Sequence, residues 1–598
     1  VLKAVLEVRK PSIFGELIIA TTFLPILSLE GLEGKMFGPL ALTVAIALLS
    51  SLLLSIFVIP VLCALVLKPG PEKESPVMRA ARAVYKPLLG WALRRKALVV
   101  SAACIALIAS VLVVGRLGTE FIPIMDEGAF DMDVQLLPGI SLPKALDITN
   151  LVEKKLQRFP ELTTVISRTG QTGIALEARG VDKTGFTGIF KPRSEWKTAA
   201  DRDQMTEKMR VALSDIPGMA FSFSQPIQCR IDELVAGTRA QLIVKLFGDD
   251  MEILRSRAEQ IGAALGRIRG TADLVVERID GQPYLAINID RLKIARHGVN
   301  VSEVLHIIEM SVGGKSATKL YEENRAFEVV VRYPGEYRNS AATIGNTLVP
   351  TRDGYNMPLN QLADIKVIQG PVQVSRENGL RRIGVEINIH DRDIGSYVAE
   401  AKEVIKNQVK LPPGYFTTWG GQFENQQRAM ARLMIVGPIA VGLILLLLFI
   451  TFRSIRLAML VIFNLPFALI GGVFALYLSN LYLSVPASVG FIVLFGVAVL
   501  NGVVLVSHIA QLRQEGVSVE EAVVRGSQDR LRPVLMTAAI AIFSLIPMLY
   551  ATGPGSEVQR PLATVVVGGL LTSTLLTLVV LPSLYRLFEP KEKAEAEL

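Results

Sequence analysis

The segment Gln228-Cys-Arg-Ile-Asp-Glu233 gathers one thiol and two carboxylates. On a helix, residues three and four apart share a face, so Cys229 would stand beside both Asp232 and Glu233. A thiolate with carboxylates suits a borderline divalent ion such as zinc, cobalt or nickel. A packed free cysteine next to a solvated acidic pair accounts for the same residues equally well. His306 and Glu309 are also spaced for a shared ligand face, although an ordinary polar helix surface is the commoner meaning of such a pair. Glu277, at a strand end, is a further candidate ligand. Met125, Met132, Met219 and Met310 are scattered, form no Met-x-x-Met cluster and read as packing residues.

Other chemistry is missing from the sequence. Gly553-Pro-Gly-Ser-Glu557 is glycine-rich but lacks the Lys-Ser/Thr ending of a phosphate-binding loop. There is no Cys-x-x-Cys, no His-Glu-x-x-His and no serine elbow, so an enzyme reading has no nucleophile or metal motif to rest on. Glu16 is the one acid set within an apolar stretch, which makes it a candidate for proton-coupled motion. Asn501 sits inside a long apolar run and is expected to bond to a neighbouring helix.

The elements that must position these residues follow from composition. The chain has 598 residues, of which 51% are apolar and 20% charged. Its mean hydropathy is +0.42. A soluble protein rarely lies that far to the apolar side. Three cysteines exclude a disulfide scaffold, and the +8 formal charge reads as loop bias in a membrane protein rather than as a nucleic-acid footprint. Apolar runs at Pro11–Leu29, Phe37–Leu67 and Ala97–Gly115 precede a polar block. After it come Leu433–Phe452, Leu457–Leu512 (which breaks into two near Ser479–Ser488), Pro533–Ser556 and Pro561–Tyr585. These runs predict eight spans, three before the block and five after it. Arg79, Arg82, Lys86, Arg94, Arg95, Lys96, Arg453, Arg456, Arg513, Arg525, Arg530, Arg532 and Arg586 then fall on one side, which is predicted to be cytoplasmic.

Residues 120–430 alternate helical and β-like stretches on the opposite side. Phe130–Leu137, Leu142–Arg158, Leu162–Ser167, Gly188–Lys191, Asp203–Asp215 and Ala220–Gln225 read as one split β-α-β-β-α-β unit. The pattern restarts at Gln241–Phe247, Met251–Arg267, Asp273–Arg278 and Tyr284–Ile289. It resumes at Arg382–Ile389, Gly395–Val409 and Phe416–Gly420, after an insertion at 291–375.

Several stretches carry a family resemblance: Arg9-Lys-Pro-Ser-Ile-Phe-Gly-Glu-Leu-Ile-Ile19, Leu29-Glu-Gly-Leu-Glu-Gly-Lys-Met-Phe37, Phe495-Gly-Val-Ala-Val-Leu-Asn-Gly-Val-Val504, Arg530-Leu-Arg-Pro-Val-Leu-Met-Thr537 and Gly553-Pro-Gly-Ser-Glu-Val558. The chain closely resembles the heavy-metal efflux branch of the resistance-nodulation-division (RND) transporters. The resemblance implies an α-helical polytopic bundle plus an α/β periplasmic domain. That domain would comprise ferredoxin-like β-α-β-β-α-β porter subdomains and an inserted docking subdomain. It also implies an inner-membrane homotrimer that works with a periplasmic adaptor and an outer-membrane channel, driven by proton influx.

On that pattern, residues 1–68 hold family spans 5–6, 69–96 a cytoplasmic linker, and 97–115 span 7. Residues 120–238 form the first porter subdomain, 239–290 with 376–430 the second, and 291–375 the docking subdomain. Spans 8–12 occupy 431–586, and 587–598 form a cytoplasmic tail. Spans 1–4 would then lie in an N-terminal half missing from this chain, together with the family's proton-binding acids. The expectation is therefore a C-terminal portion of a pump. Leu500 and Val534 are apolar where some relatives carry charge.

Copper and silver members use a methionine where this chain has Glu233, so Asp232 and Glu233 look like cleft residues of the zinc-cobalt-cadmium-nickel type, with Glu277 and His306 near other cleft positions. The implied passengers are divalent metal ions and protons, with no permanently bound cofactor and no nucleic-acid partner. An exporter of organic solutes, or a non-transporting subunit paired with a separate N-terminal half, are the alternatives.

Overall fold

A computed structural model describes residues 13–66, 75–170, 180–236, 240–279, 281–371 and 373–589. Among the described residues, seven helices are long and apolar enough to cross a membrane: Glu33–Val66, Lys96–Val114, Gln422–Phe452, Ile455–Leu478, Val485–Gln514, Val519–Tyr550 and Ser556–Phe588. The eighth expected span appears as the shorter apolar helix Ile13–Leu27, and the start of that run lies outside the described residues.

Ile455–Leu478, Val485–Gln514 and Ser556–Phe588 form the buried centre of the bundle, whereas no residue of the most apolar stretch of Glu33–Val66 is fully buried. Close packing in the centre depends on small residues. A Cβ on Gly471 would meet the Gly568 carbonyl oxygen at 2.1 Å, so two helix backbones touch there. Inside the region read as a basic linker lies a helix, Pro76–Arg94, whose N-terminus is capped by Ser75 Oγ accepting from Met78 N. Its Tyr85, Leu89 and Ala92 are buried, and the Tyr85 hydroxyl donates to the Leu578 carbonyl at 2.8 Å. The high density of Arg and Lys reads as loop, but these residues occupy the faces that the apolar stripe leaves free.

The polar block contains two α/β units and an insertion. In the first, strands β1 (Ala129–Gln135), β2 (Leu162–Thr169), β3 (Lys183–Phe190) and β4 (Ala220–Ser224) form an antiparallel sheet ordered β2-β3-β1-β4. Helices Leu142–Leu156 and Arg202–Leu213 cross over one face of it. β1 alternates Phe130, Met132 and Val134 into the core with Val152, Leu156, Met205 and Met209. Asp131 and Asp133 therefore point to the other face.

In the second unit, β5 (Leu242–Phe247) and β6 (Thr271–Val276) are followed by the insertion. The insertion comprises β7 (Gln282–Ile289), β8 (Lys315–Glu322), β9 (Arg325–Val331), β10 (Leu348–Pro350), β11 (Asn356–Pro358) and β12 (Ala363–Gly370), with short helices. β13 (Arg376–Glu377), β14 (Leu380–Ile389) and β15 (Phe416–Gly421) then complete the unit. Its sheet runs β13-β14-β5-β15, with β6 also on β14, so the order of the first unit recurs. Asp201, Asp250 and Asp393 cap three crossover helices, each accepting from a backbone N–H of the first turn.

One strand departs from the expected boundaries. Tyr284–Ile289 pairs with Ala363–Gly370 rather than with the second sheet. Leu285, Ile287 and Ile289 pack on the insertion's own core of Ile294, Val304, Ile344 and Leu359.

Asp273 ties the two units together. It sits at a bulge in the β6–β14 pairing with φ 46°, and accepts from Arg210, from Phe223 N (3.1 Å) and from Asn388 Nδ2 (3.3 Å).

Candidate metal centre

Helix Pro226–Ala236 leaves β4 directly and lies against β1. Its position is fixed from the start of β1. Both Glu127 carboxylate oxygens accept from the helix N-terminus, Oε2 from Ile227 N at 2.7 Å and Oε1 from Gln228 N at 2.9 Å. An acid placed there satisfies free N–H groups and complements the helix dipole. Gln225 adds a second clamp, its Nε2 donating to the Met125 carbonyl at 2.6 Å.

So anchored, the helix turns Cys229 onto the non-core face of the first sheet. Ligand atoms of Cys229, Asp131 and Asp133 all lie within 4.8 Å of one another. Cys229 and Asp131 are buried, and Asp133 is half-buried. Asp131 lies between Thr187 on β3 and Ser224 on β4, and Asp133 lies opposite Ser222. The Thr187 hydroxyl donates to Asp131 Oδ1 at 2.8 Å, which orients that carboxylate. A tetrahedral ion bound at ~2.0–2.3 Å holds its ligand atoms roughly 3.3–3.8 Å apart, so a small contraction of this trio would make three ligands. Ionised together in a buried place, two carboxylates and a thiolate would repel one another strongly unless a cation or protons joined them.

The residues predicted from sequence are spread more widely. Asp232 is buried one helical turn beyond Cys229. Its Oδ1 accepts from Gln422 Nε2 at 3.1 Å, while Oδ2 has no hydrogen-bond partner among the described residues. Burial pushes its carboxyl up to about 7. Gln422 begins the membrane helix Gln422–Phe452, so Asp232 links the first α/β unit to that span. Glu233 turns outward and pairs with Arg230 at 3.0 Å.

Glu277 accepts from the Ser375 hydroxyl and from Gly384 N (3.0 Å), with Arg382 at 3.8 Å, on the wall of a cavity of about 360 Å³. His306 is exposed on the insertion, with its Nδ1 3.5 Å from Glu309 and 3.3 Å from Lys315 Nζ. Of the five sequence candidates only Cys229 belongs to the trio. Asp131 and Asp133 were missed, and their signal was the alternation Phe-Asp-Met-Asp-Val, which places two acids on one face of a strand.

In the bundle, Glu16 is half-buried on Ile13–Leu27, and its Oε2 has no hydrogen-bond partner among the described residues. Asn501 is buried and accepts from the Thr537 hydroxyl of the next helix at 3.0 Å.

Comparison with known proteins agrees with this architecture. The AcrB/AcrD/AcrF family profile matches residues 1–589. The cobalt-zinc-cadmium resistance protein CzcA of Cupriavidus metallidurans is 42% identical over 99% of this chain and 56% of its own length. The nickel-cobalt-cadmium resistance protein NccA of Alcaligenes xylosoxydans xylosoxydans is 38% identical over 96% of this chain and 54% of its own. A crystal structure of a heavy metal efflux pump superposes with a TM-score of 0.86 at 36% identity, over 98% of this chain and 58% of that one. The chain thus spans little more than half the length of the relatives it matches. It belongs to the AcrB/AcrD/AcrF family, in the heavy-metal efflux branch of the RND transporters.

Proposed function

We propose that the protein is a C-terminal portion of an inner-membrane pump that exports a divalent heavy-metal ion (zinc, cobalt, cadmium or nickel) in exchange for protons. One observation carries this reading: the Asp131, Asp133 and Cys229 ligand atoms converge within 4.8 Å on a helix-covered sheet face outside the bundle. Mixed carboxylate and thiolate ligands favour borderline divalent ions over monovalent copper or silver. The names of CzcA and NccA point to the same group of metals.

In this reading the trio is a station on the outer route, and Asp232 passes its occupancy to the Gln422 end of the membrane helix. The two α/β units are ferredoxin-like porter subdomains, residues 120–238 and 239–290 with 376–430. The insertion is a docking subdomain, and the assembly is a trimer working with an adaptor and an outer-membrane channel.

Cobalt titration of the purified chain tests the site. Thiolate coordination gives a cobalt charge-transfer absorbance that Cys229→Ser removes. A wild-type spectrum without that band, or one unchanged in Cys229→Ser, rules the station out.

A further inference from the structure

The motif Leu29-Glu-Gly-Leu-Glu-Gly34 opens the long helix Gly31–Val66, and the metal site does not use it. Its glycines have structural causes. Gly31 has φ +67°, and a Cβ on Gly34 would meet the Leu29 carbonyl oxygen at 2.3 Å. This tight turn sets Glu30 and Glu33 against two arginines one turn apart on helix Gln422–Phe452.

The two pairs differ. Glu30 and Arg432 are closed, at 2.5 Å and exposed to solvent. Glu33 and Arg428 are open. Glu33 is only 1% exposed, and no other described residue hydrogen-bonds either of its carboxylate oxygens. Arg428 instead donates to Asn425 Oδ1 at 2.6 Å. Yet Glu33 Oε2 and Arg428 Nη2 flank the same point, 3.3 and 3.5 Å from where a Gly31 Cβ would stand.

A buried carboxylate without partners is stable only when protonated or when a cation reaches it. Arg428 is poised to be that cation. We propose that Glu33 is a proton-binding site at the outer mouth of the bundle: protonated, it leaves Arg428 on Asn425, and ionised, it draws Arg428 across to itself.

Other charged groups are carried by the elements around this apolar cluster. They are Lys35 and Glu30 on the same helix, Glu424 and Arg432 on the facing one, and Glu120 ahead of β1. Glu557 and Arg560 open the last span, and Glu16 lies on the first helix. None of their hydrogen bonds described in the structure reaches Glu33. Glu120 lies where the porter meets the bundle, and burial pushes its carboxyl up to about 7. The Glu120 carbonyl accepts from Gln426 Nε2 at 3.1 Å, and Gln422 at the same helix end holds Asp232. Moving Arg428 therefore acts on the helix whose first residue holds Asp232, one helical turn beyond Cys229. The coupling to transport rests on the export reading, whereas proton binding by Glu33 does not.

Infrared difference spectra of the full chain in lipid nanodiscs, taken against pH without metal, test the site. A protonated-carboxyl C=O band is expected that Glu33→Gln removes and Glu33→Asp retains at a shifted frequency. Arg428→Gln should move the band's midpoint to higher pH by about one unit or more, because the ionised form loses its nearby cation. Asn425→Ala, which frees Arg428, should move it the other way. A band unchanged by Glu33→Gln, or a midpoint untouched by Arg428→Gln, overturns the proposal. Metal export that survives with no Glu33 band sinks the switch alone. A titrating band in a chain that binds no cobalt sinks the export reading alone.

Discussion

The two α/β units share one strand order, yet their sheets carry opposite chemistry on the face away from the core. In the first unit the central strand β1 presents Asp131 and Asp133 there, beside Cys229. In the second, the corresponding central strand β5 keeps Leu242, Val244 and Leu246 in its core. The opposite face carries Lys245, which is buried and neutralised by Glu377 at 2.9 Å. One scaffold thus carries two acids and a thiol on that face, and the other a lysine held by a glutamate. The difference shows that the site lies in alternate residues of one strand and not in the fold, as is general for folds that host many functions.

The comparison can be broken by experiment. The largest effect is expected from Asp131→Asn with Asp133→Asn, which removes two of three ligands. Cobalt affinity, read by absorbance titration, should fall by roughly 100-fold or more. Thr187→Val leaves the ligands but frees the Asp131 carboxylate to turn, and should cost roughly 10-fold in the same titration. Lys245→Ala should leave cobalt binding unchanged while lowering stability by about 1–3 kcal/mol in denaturant unfolding, because Glu377 loses a largely buried partner. A loss of cobalt binding in that variant would erase the contrast between the units.

Asp232 provides a pH test. Its carboxyl is raised to about 7, so the native state holds a proton that the unfolded chain releases near 3.9. Stability from this group therefore falls as pH rises between those values and levels off above about 7. Asp232→Asn should flatten the melting temperature across that window, and an unchanged slope would place the titration elsewhere. The smallest effect belongs to Glu233→Ala. With Glu233 turned to Arg230, cobalt affinity should change by less than about twofold.

Much of this architecture is legible in the sequence because its signals are local. Uncharged runs mark the spans, and the break near Ser479–Ser488 coincides with the gap between Leu478 and Val485. The strands of the first unit follow a period of two. The site is harder to read, because Asp131 and Cys229 meet only through the sheet and a helix pinned by Glu127, about one hundred residues away. Proximity in sequence suggested Asp232 and Glu233 as the partners of Cys229. The helix does place all three near one another, but it is Cys229 whose ligand atom lies within 4.8 Å of those of Asp131 and Asp133. The partners of Glu277 are hidden from sequence for a similar reason, since Ser375 and Gly384 lie beyond the insertion. Tyr284–Ile289 misled because its alternation says that it is a strand and not which sheet it joins.

Helix Gln422–Phe452 runs without interruption from β15 into the bundle and contains Pro438. Proline removes one backbone hydrogen bond and weakens a helix at that level. The stretch above it, from Gln422 to Gly437, is then a lever arm of about 24 Å. A tilt of about 5° at the proline would sweep its tip through about 2 Å, comparable with the tolerance of a hydrogen bond. Gln422 would part from Asp232 while the lower half of the rod stayed still. A small change of angle at the proline, deep among lipids, would thus make or break the Gln422–Asp232 contact one helical turn from Cys229.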